Sequence, residues 1–132
     1  MDAAQLEGIT LFAGLSKRER ARVAQLADEV DLPEGRQIVR EGAFAYELFV
    51  IEKGTAEVRR HDAHLADLGP GDFFGEMGVM GKDSRVASVV TTSPMTAVVM
   101  TAHDFRRVAQ EMPSVANRIR TTIEERGKAL MN

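Results

Sequence analysis

The sequence predicts a mainly β domain with helices at both ends. Short apolar runs punctuated by glycine fill the middle of the chain, from about residue 36 to 101. Helical periodicity is confined to the two ends. The length, 132 residues, suits one domain, and 44% hydrophobic residues suffice for one core.

The elements follow in chain order. ITLF at residues 9–12 reads as an apolar plug. Ser16 with Glu19 makes a capping box, and Val23, Leu26, Ala27 and Val30 recur behind it at helical spacing. Pro33 and Gly35 would stop that helix, so a helical segment is expected over 9–31. A β region is expected over 36–101. Glycines at 35, 42, 54, 69 and 71 separate the runs QIVRE, ELFVIE, AEVRR and HLADL, which read as strands joined by tight turns. LGPGD at 68–72 is a turn signal. RVASVVTT and MTAVVMT, split by Ser93-Pro94, are β-branched and strand-like. Many short strands at this spacing suggest a sandwich or barrel. Helices return over 102–131. Thr101 and Asp104 can cap one that carries Phe105, Val108 and Met112. Pro113 suits the first turn of a second, with Val115, Ile119, Ile123 and Leu130 along one stripe.

Composition narrows the function. The formal net charge of −3 argues against a polyanion such as DNA, but not against one small anion held by a local positive site. The absence of cysteine excludes disulfides and thiolate metal sites and favours a reducing compartment. No signal peptide and no membrane span is visible, so a cytoplasmic location is expected. No nucleophile–base pair assembles, and catalytic residues are not expected. His61 and His64 fall at a hairpin tip. Two histidines three apart can hold a metal, but a solvated turn is the expectation, and no metal site is assigned. His103, near a helix start, reads as a surface residue.

One stretch makes better sense if a ligand enters it. GDFFGEMGVMGKDSRVASVV, residues 71–90, sets Glu76 and Arg85 nine positions apart among glycines and apolar residues. Glu76 to Met80 can form one helical turn before Gly81, with unpaired backbone N–H groups at its start. Gly78, without a Cβ, lets a ligand approach the backbone. An arginine returned by the following turn completes an anion cradle. Glu76 repels a phosphate, so it must meet a hydroxyl donor or the arginine itself. A ligand with one phosphate and one free hydroxyl would use both. The alternative reading is a structural Glu76–Arg85 ion pair.

FGEMGVMGKDSRVASV resembles the phosphate-binding cassette of the cyclic nucleotide-binding domain family, found in cAMP receptor regulators, kinase regulatory subunits and cyclic nucleotide-gated channels. LFAGLSKRERARVAQLA, GRQIVREGAFAYELFVIEKGTAEVRR and LADLGPGDFFGE are similar to the segments that precede the cassette. The resemblance implies an eight-stranded β-roll of jelly-roll type with N- and C-terminal helices, and a cassette over 73–89. It implies that Glu76 accepts from the ribose 2′-OH and that Arg85 pairs with the cyclic phosphate. Gly78 and Val86 would donate backbone N–H groups to phosphate oxygens, and Gly75 would let the backbone reach the ribose. Ala87 would pack closely because it is small, and Met77 and Ser84 belong to the same loop. Val58 and Leu65 match strand positions lining the base pocket. Arg126 and Leu130 are the candidates on the last helix to cover the purine. Ser84 replaces the proline of many members. Val86 stands where cGMP-selective members carry a hydroxyl, which favours cAMP over cGMP.

The function this implies is a cyclic nucleotide sensor that relays binding through its C-terminal helix. The alternative is a β-roll interaction domain that has lost nucleotide affinity. No cofactor beyond the nucleotide ligand is expected. No helix-turn-helix accompanies the domain, so direct nucleic-acid binding is not expected. An effector domain or partner protein, and a homodimer through the C-terminal helix, remain open.

Overall fold

The computed structural model describes residues 1–39, 47–74 and 87–131, with the side chains of Val39, Ile123 and residues 126–131 left outside that description. The chain opens with two short 3-10 helices, Ala3–Leu6 and Thr10–Phe12, followed by helix α1, Lys17–Leu26. Leu11 and Phe12 of the ITLF plug are buried. The capping box at α1 is closed in both directions. The Glu19 N–H donates to Ser16 Oγ at 3.1 Å and the Ser16 N–H donates to Glu19 Oε1 at 2.9 Å.

The helix expected over 9–31 is a correction. It ends at Leu26, and Asp28–Leu32 is instead strand β1. Ala27 already has extended backbone, ψ 156. Val30 and Leu32 fit helical spacing only in part. They also alternate with acids, and both pack against the core between the sheets. The deciding factor is pairing, because β1 hydrogen-bonds along one edge of a later strand through five register pairs, Asp28↔Val99 to Leu32↔Met95.

The remaining strands are β2 (Gln37–Val39), β3 (Glu47–Lys53), β4 (Ala56–Arg60), β5 (Ala63–Leu68), β6 (Phe73–Phe74), β7 (Ser88–Thr91) and β8 (Met95–Thr101). Two helices follow, α2 (Ala102–Glu111) and α3 (Pro113–Met131). The strands form two antiparallel four-stranded sheets, in the orders β1-β8-β3-β6 and β2-β7-β4-β5. This is the mainly β roll with flanking helices that the sequence predicts.

Two apolar cores result. Phe49, Ile51, Phe74, Ala97 and Val99 of the first sheet meet Ala56, Leu68 and Val89 of the second. On the opposite face of the first sheet, Leu48, Val50, Phe73, Val98 and Met100 meet Phe12, Val23, Phe105, Val115 and Ile119 of the helical layer. Turns lock the ends. Gly54, at φ +97 between β3 and β4, lies so close to Pro94 and Met95 that an added Cβ would come within 2.8 Å of the Met95 Cα. Thr91 is buried, and its hydroxyl donates to the Pro33 carbonyl at 2.6 Å while accepting from the Arg36 N–H at 2.8 Å. That hydroxyl organises the turn between β1 and β2.

Among the described residues, one buried polar side chain is poorly satisfied. Glu52 is the extra residue where β3 slips register against β8, and its Oε1 is buried without a hydrogen-bond partner. Burial raises its pKa to about 7, helped by a hydrogen bond and charge repulsion from Glu29 and by Asp31, while Lys53 opposes. The folded chain therefore holds a proton on Glu52 that the unfolded chain releases from pH 4.5 upward. The stabilisation is complete below that value and is lost as pH rises through about 7. Glu52 is only partly buried, so solvent screening reduces the effect, and melting temperature should fall by a few degrees between about pH 5.5 and pH 8, where about 1 kcal/mol moves a domain of this size by about 3 °C. Glu52→Gln should remove most of the fall. Thermal melts in which Glu52→Gln shows the same fall as the parent would contradict the assignment.

Candidate functional site

The described residues on either side of 75–86 fix where the chain enters and leaves that segment. Phe73 and Phe74 form β6 and pair with Val50 and Phe49 of β3. The Phe49 and Phe74 rings stack with centroids 5.0 Å apart and planes within 8°, a contact worth about 0.5–1.5 kcal/mol beyond burial. Past the cassette, Ser88 and Val89 of β7 pair with Arg59 and Val58 of β4. The segment thus leaves the first sheet at an edge strand and re-enters the chain in the second sheet. Gly75, Glu76, Met77, Gly78, Ser84, Arg85 and Val86 lie outside the described residues.

The approach to the cassette is tied down by backbone hydrogen bonds. The LGPGD turn closes through the Gly69 N–H donating to Asp72 Oδ2 at 2.8 Å and the Asp72 N–H donating to the Gly69 carbonyl at 3.0 Å. Gly71 takes φ +91, and its N–H donates to the Ile51 carbonyl at 2.8 Å. The Ile51 N–H in turn donates to the Asp72 carbonyl at 2.8 Å. Phe73 then enters the helix-side core and Phe74 the inter-sheet core. Adjacent residues at the start of the cassette are therefore anchored in different cores.

The other predicted site residues divide. Val58 is half-buried and packs on the inter-sheet core, two register steps from Ala87, which is also half-buried just before β7. Leu65 is 39% exposed, the large apolar side chain left open to solvent among the described residues. It is the extra residue where β5 slips register, since Val58 pairs with Ala66 and Arg59 with His64. Arg126 and Leu130 lie on α3, and their side chains are outside the described residues.

Sequence reasoning missed Arg118. From α3 its guanidinium Nη1 donates to the Leu11 carbonyl at 2.8 Å and, more loosely, to the Thr10 carbonyl at 3.4 Å. Thr10, Leu11, Asp72, Phe73, Arg118 and Glu125 line one surface groove, so this contact adjoins the turn that leads into β6. An arginine on a helix face carries no signal of its target carbonyl until the fold brings the two together.

The histidine reading is also refined. His61 and Asp62 form the two-residue β4–β5 turn at φ 52 and φ 64. His64 lies on β5 just past that turn. It stands between carboxylates, with Nδ1 3.2 Å from Glu57 Oε2 and Nε2 3.6 Å from Asp67 Oδ1. Arg59 Nε donates to Glu57 Oε1. That hydrogen bond, followed by the one from His64, holds the Glu57 carboxyl below the usual carboxylate range.

Comparison with known proteins gives the same frame. The family model described as "Cyclic nucleotide-binding domain" matches residues 29–112. The cAMP-dependent protein kinase regulatory subunit of Aspergillus fumigatus is 30% identical over 120 residues, covering 89% of this chain and 29% of that protein. A cyclic nucleotide-gated potassium channel of Rhizobium etli is 31% identical over 120 residues, covering 90% of this chain and 34% of that one. The chain spans about a third of the length of these curated relatives. Among solved structures, the Thermus thermophilus catabolite activator protein matches with a TM-score of 0.79 at 26% identity, covering 89% of this chain and 58% of that one. With the matched span running from Glu29 in β1 through α2 and the two-sheet roll in common, the chain belongs to the cyclic nucleotide-binding domain family.

Proposed function

We propose that this domain binds a cyclic nucleotide in the segment between β6 and β7, prefers cAMP to cGMP, and relays binding through α3. The observation that carries the reading is the cassette sequence at the point where the chain crosses from one sheet to the other. Arg85 neutralises the cyclic phosphate with a planar fork that lysine cannot copy. Glu76 accepts from the ribose 2′-OH, which gives an anion site a use for a carboxylate. Gly75 and Gly78 admit the ligand close to the backbone, with Met77 and Ser84 completing the loop. The backbone N–H groups of Gly78 and Val86 add donors. Val58, Leu65 and Ala87 line the approach to the base. An exposed leucine on a strand beside the half-buried Val58 is what a base face would cover. Val86 has no hydroxyl for guanine, which supports cAMP. The role is binding and regulation, as the family implies, with the effector in a partner protein or another domain.

Binding by wild-type chain and variants tests the site. Losing one partner of a desolvated charge pair costs about 2–5 kcal/mol, so Arg85→Ala should weaken cAMP binding by roughly thirtyfold to several thousandfold. Arg85→Lys should recover part of it. The 2′-deoxy analogue should bind worse than cAMP, and Glu76→Gln should narrow that gap. Calorimetry showing unchanged affinity in Arg85→Ala would remove the assignment. A wild-type chain that binds neither cAMP nor cGMP would be the β-roll interaction domain instead.

The relay has a physical route in Arg118 and Phe73. Both line the groove beside the turn that enters β6, and Phe73 belongs to the core that also holds Val115 and Ile119 of α3. Amide exchange from Glu124 onward should slow when cAMP binds. In Arg118→Ala, cAMP should still bind within a few-fold while that slowing shrinks. Equal exchange with and without bound cAMP would leave α3 as packing alone.

A further inference from the structure

We propose that the outer face of the β4–β5 hairpin holds a divalent transition-metal ion, zinc or a metal of similar preference, through Glu57, His64 and Asp67. The register explains why these residues meet. Glu57 pairs directly with Asp67, and Arg59 pairs with His64. His64 and Asp67 are three apart, which in a regular strand places them on opposite faces. The extra residue, Leu65, restores the parity and brings both to the face of Glu57. One ligand atom from each of the three residues then lies within 4.8 Å of the others.

The donor set is one imidazole nitrogen and two carboxylate oxygens, a combination that zinc, cobalt and nickel accept, with water filling the open positions. His64 and Asp67 are exposed, and binding requires both side chains to turn so that one ring nitrogen and both carboxylates meet at a shared ion. Arg59 occupies Glu57 Oε1 and leaves Oε2 on the His64 side. It acts as an orienting partner behind a ligating carboxylate, and it keeps that carboxylate ionised. Charge supplies a reason for an ion to enter. Glu57 and Asp67 are like charges directly opposite one another, an unfavourable cross-strand pair that a divalent cation reverses. The three ligands lie on the outward face of the hairpin, and none of them is assigned to the nucleotide.

Calorimetric titration of the full chain with zinc chloride at neutral pH tests the site, with cobalt absorption as a second readout. The chain has no cysteine and three histidines, so the signal is easily assigned. One ion should bind per chain. His64→Ala and, as a milder change, Asp67→Asn should each weaken binding by about tenfold or more, since even removing an orienting partner costs 10–100-fold. His61→Ala and His103→Ala should bind as the parent does. The absence of saturable binding, unchanged affinity in both His64→Ala and Asp67→Asn, or a loss that follows His61 or His103 instead would overturn the proposal.

Discussion

The two central strands of the first sheet are buried on both faces, and the rest of the molecule is arranged around that fact. Leu48 and Val50 of β3 face the helices while Phe49 and Ile51 face the second sheet. In β8, Val98 and Met100 point one way and Ala97 and Val99 the other. Each large apolar side chain so buried contributes roughly 1.5–3 kcal/mol. Surface ion pairs such as Arg20–Glu7 and Arg22–Glu111, in which the arginines are half-buried, contribute about 0–1 kcal/mol each. The layered order of helices, sheet and sheet therefore follows from the LFVI and AVVM runs and not from the charges around them.

That layering decides what the cassette is attached to. β6 is only two residues long, yet one of them enters each core. A change at Gly75 is one peptide bond from a ring stacked between the sheets and two from a ring packed under the helices. The return through Ala87 lands in the other sheet, beside Val58. Few positions in a two-sheet fold touch both sheets and the helical layer. A ligand bound there would touch the seam between layers, and the proposed relay rests on that placement.

Much of this was readable from the sequence. ELFVIE, AEVRR and MTAVVMT carry strand residues in runs bounded by turns, and each forms a strand. Ser16 with Glu19 and Thr101 with Asp104 mark helix starts that the hydrogen bonds realise. The cassette is read from a motif, because the chemistry it implies needs particular residue types at fixed spacing, and residues 75–86 lie outside the described residues. The stop of α1 at Leu26 was not visible. Val23, Leu26, Ala27 and Val30 satisfy helical spacing, and only the open edge of β8 decides for a strand. The Glu57, His64 and Asp67 group was hidden for a related reason. A spacing of three on a strand signals opposite faces until a register slip, set by tertiary pairing, reverses it.

The claim at the centre of this account is that a cyclic nucleotide engages the seam between the two sheets. Hydrogen exchange with and without saturating cAMP measures this at the flanking strands. Amides of Phe73, Phe74 and Ala87–Val90 should exchange more slowly with ligand, while those of the distant β1 change little. Unaltered exchange at both flanks, with cAMP demonstrably bound, would place the ligand elsewhere on the molecule.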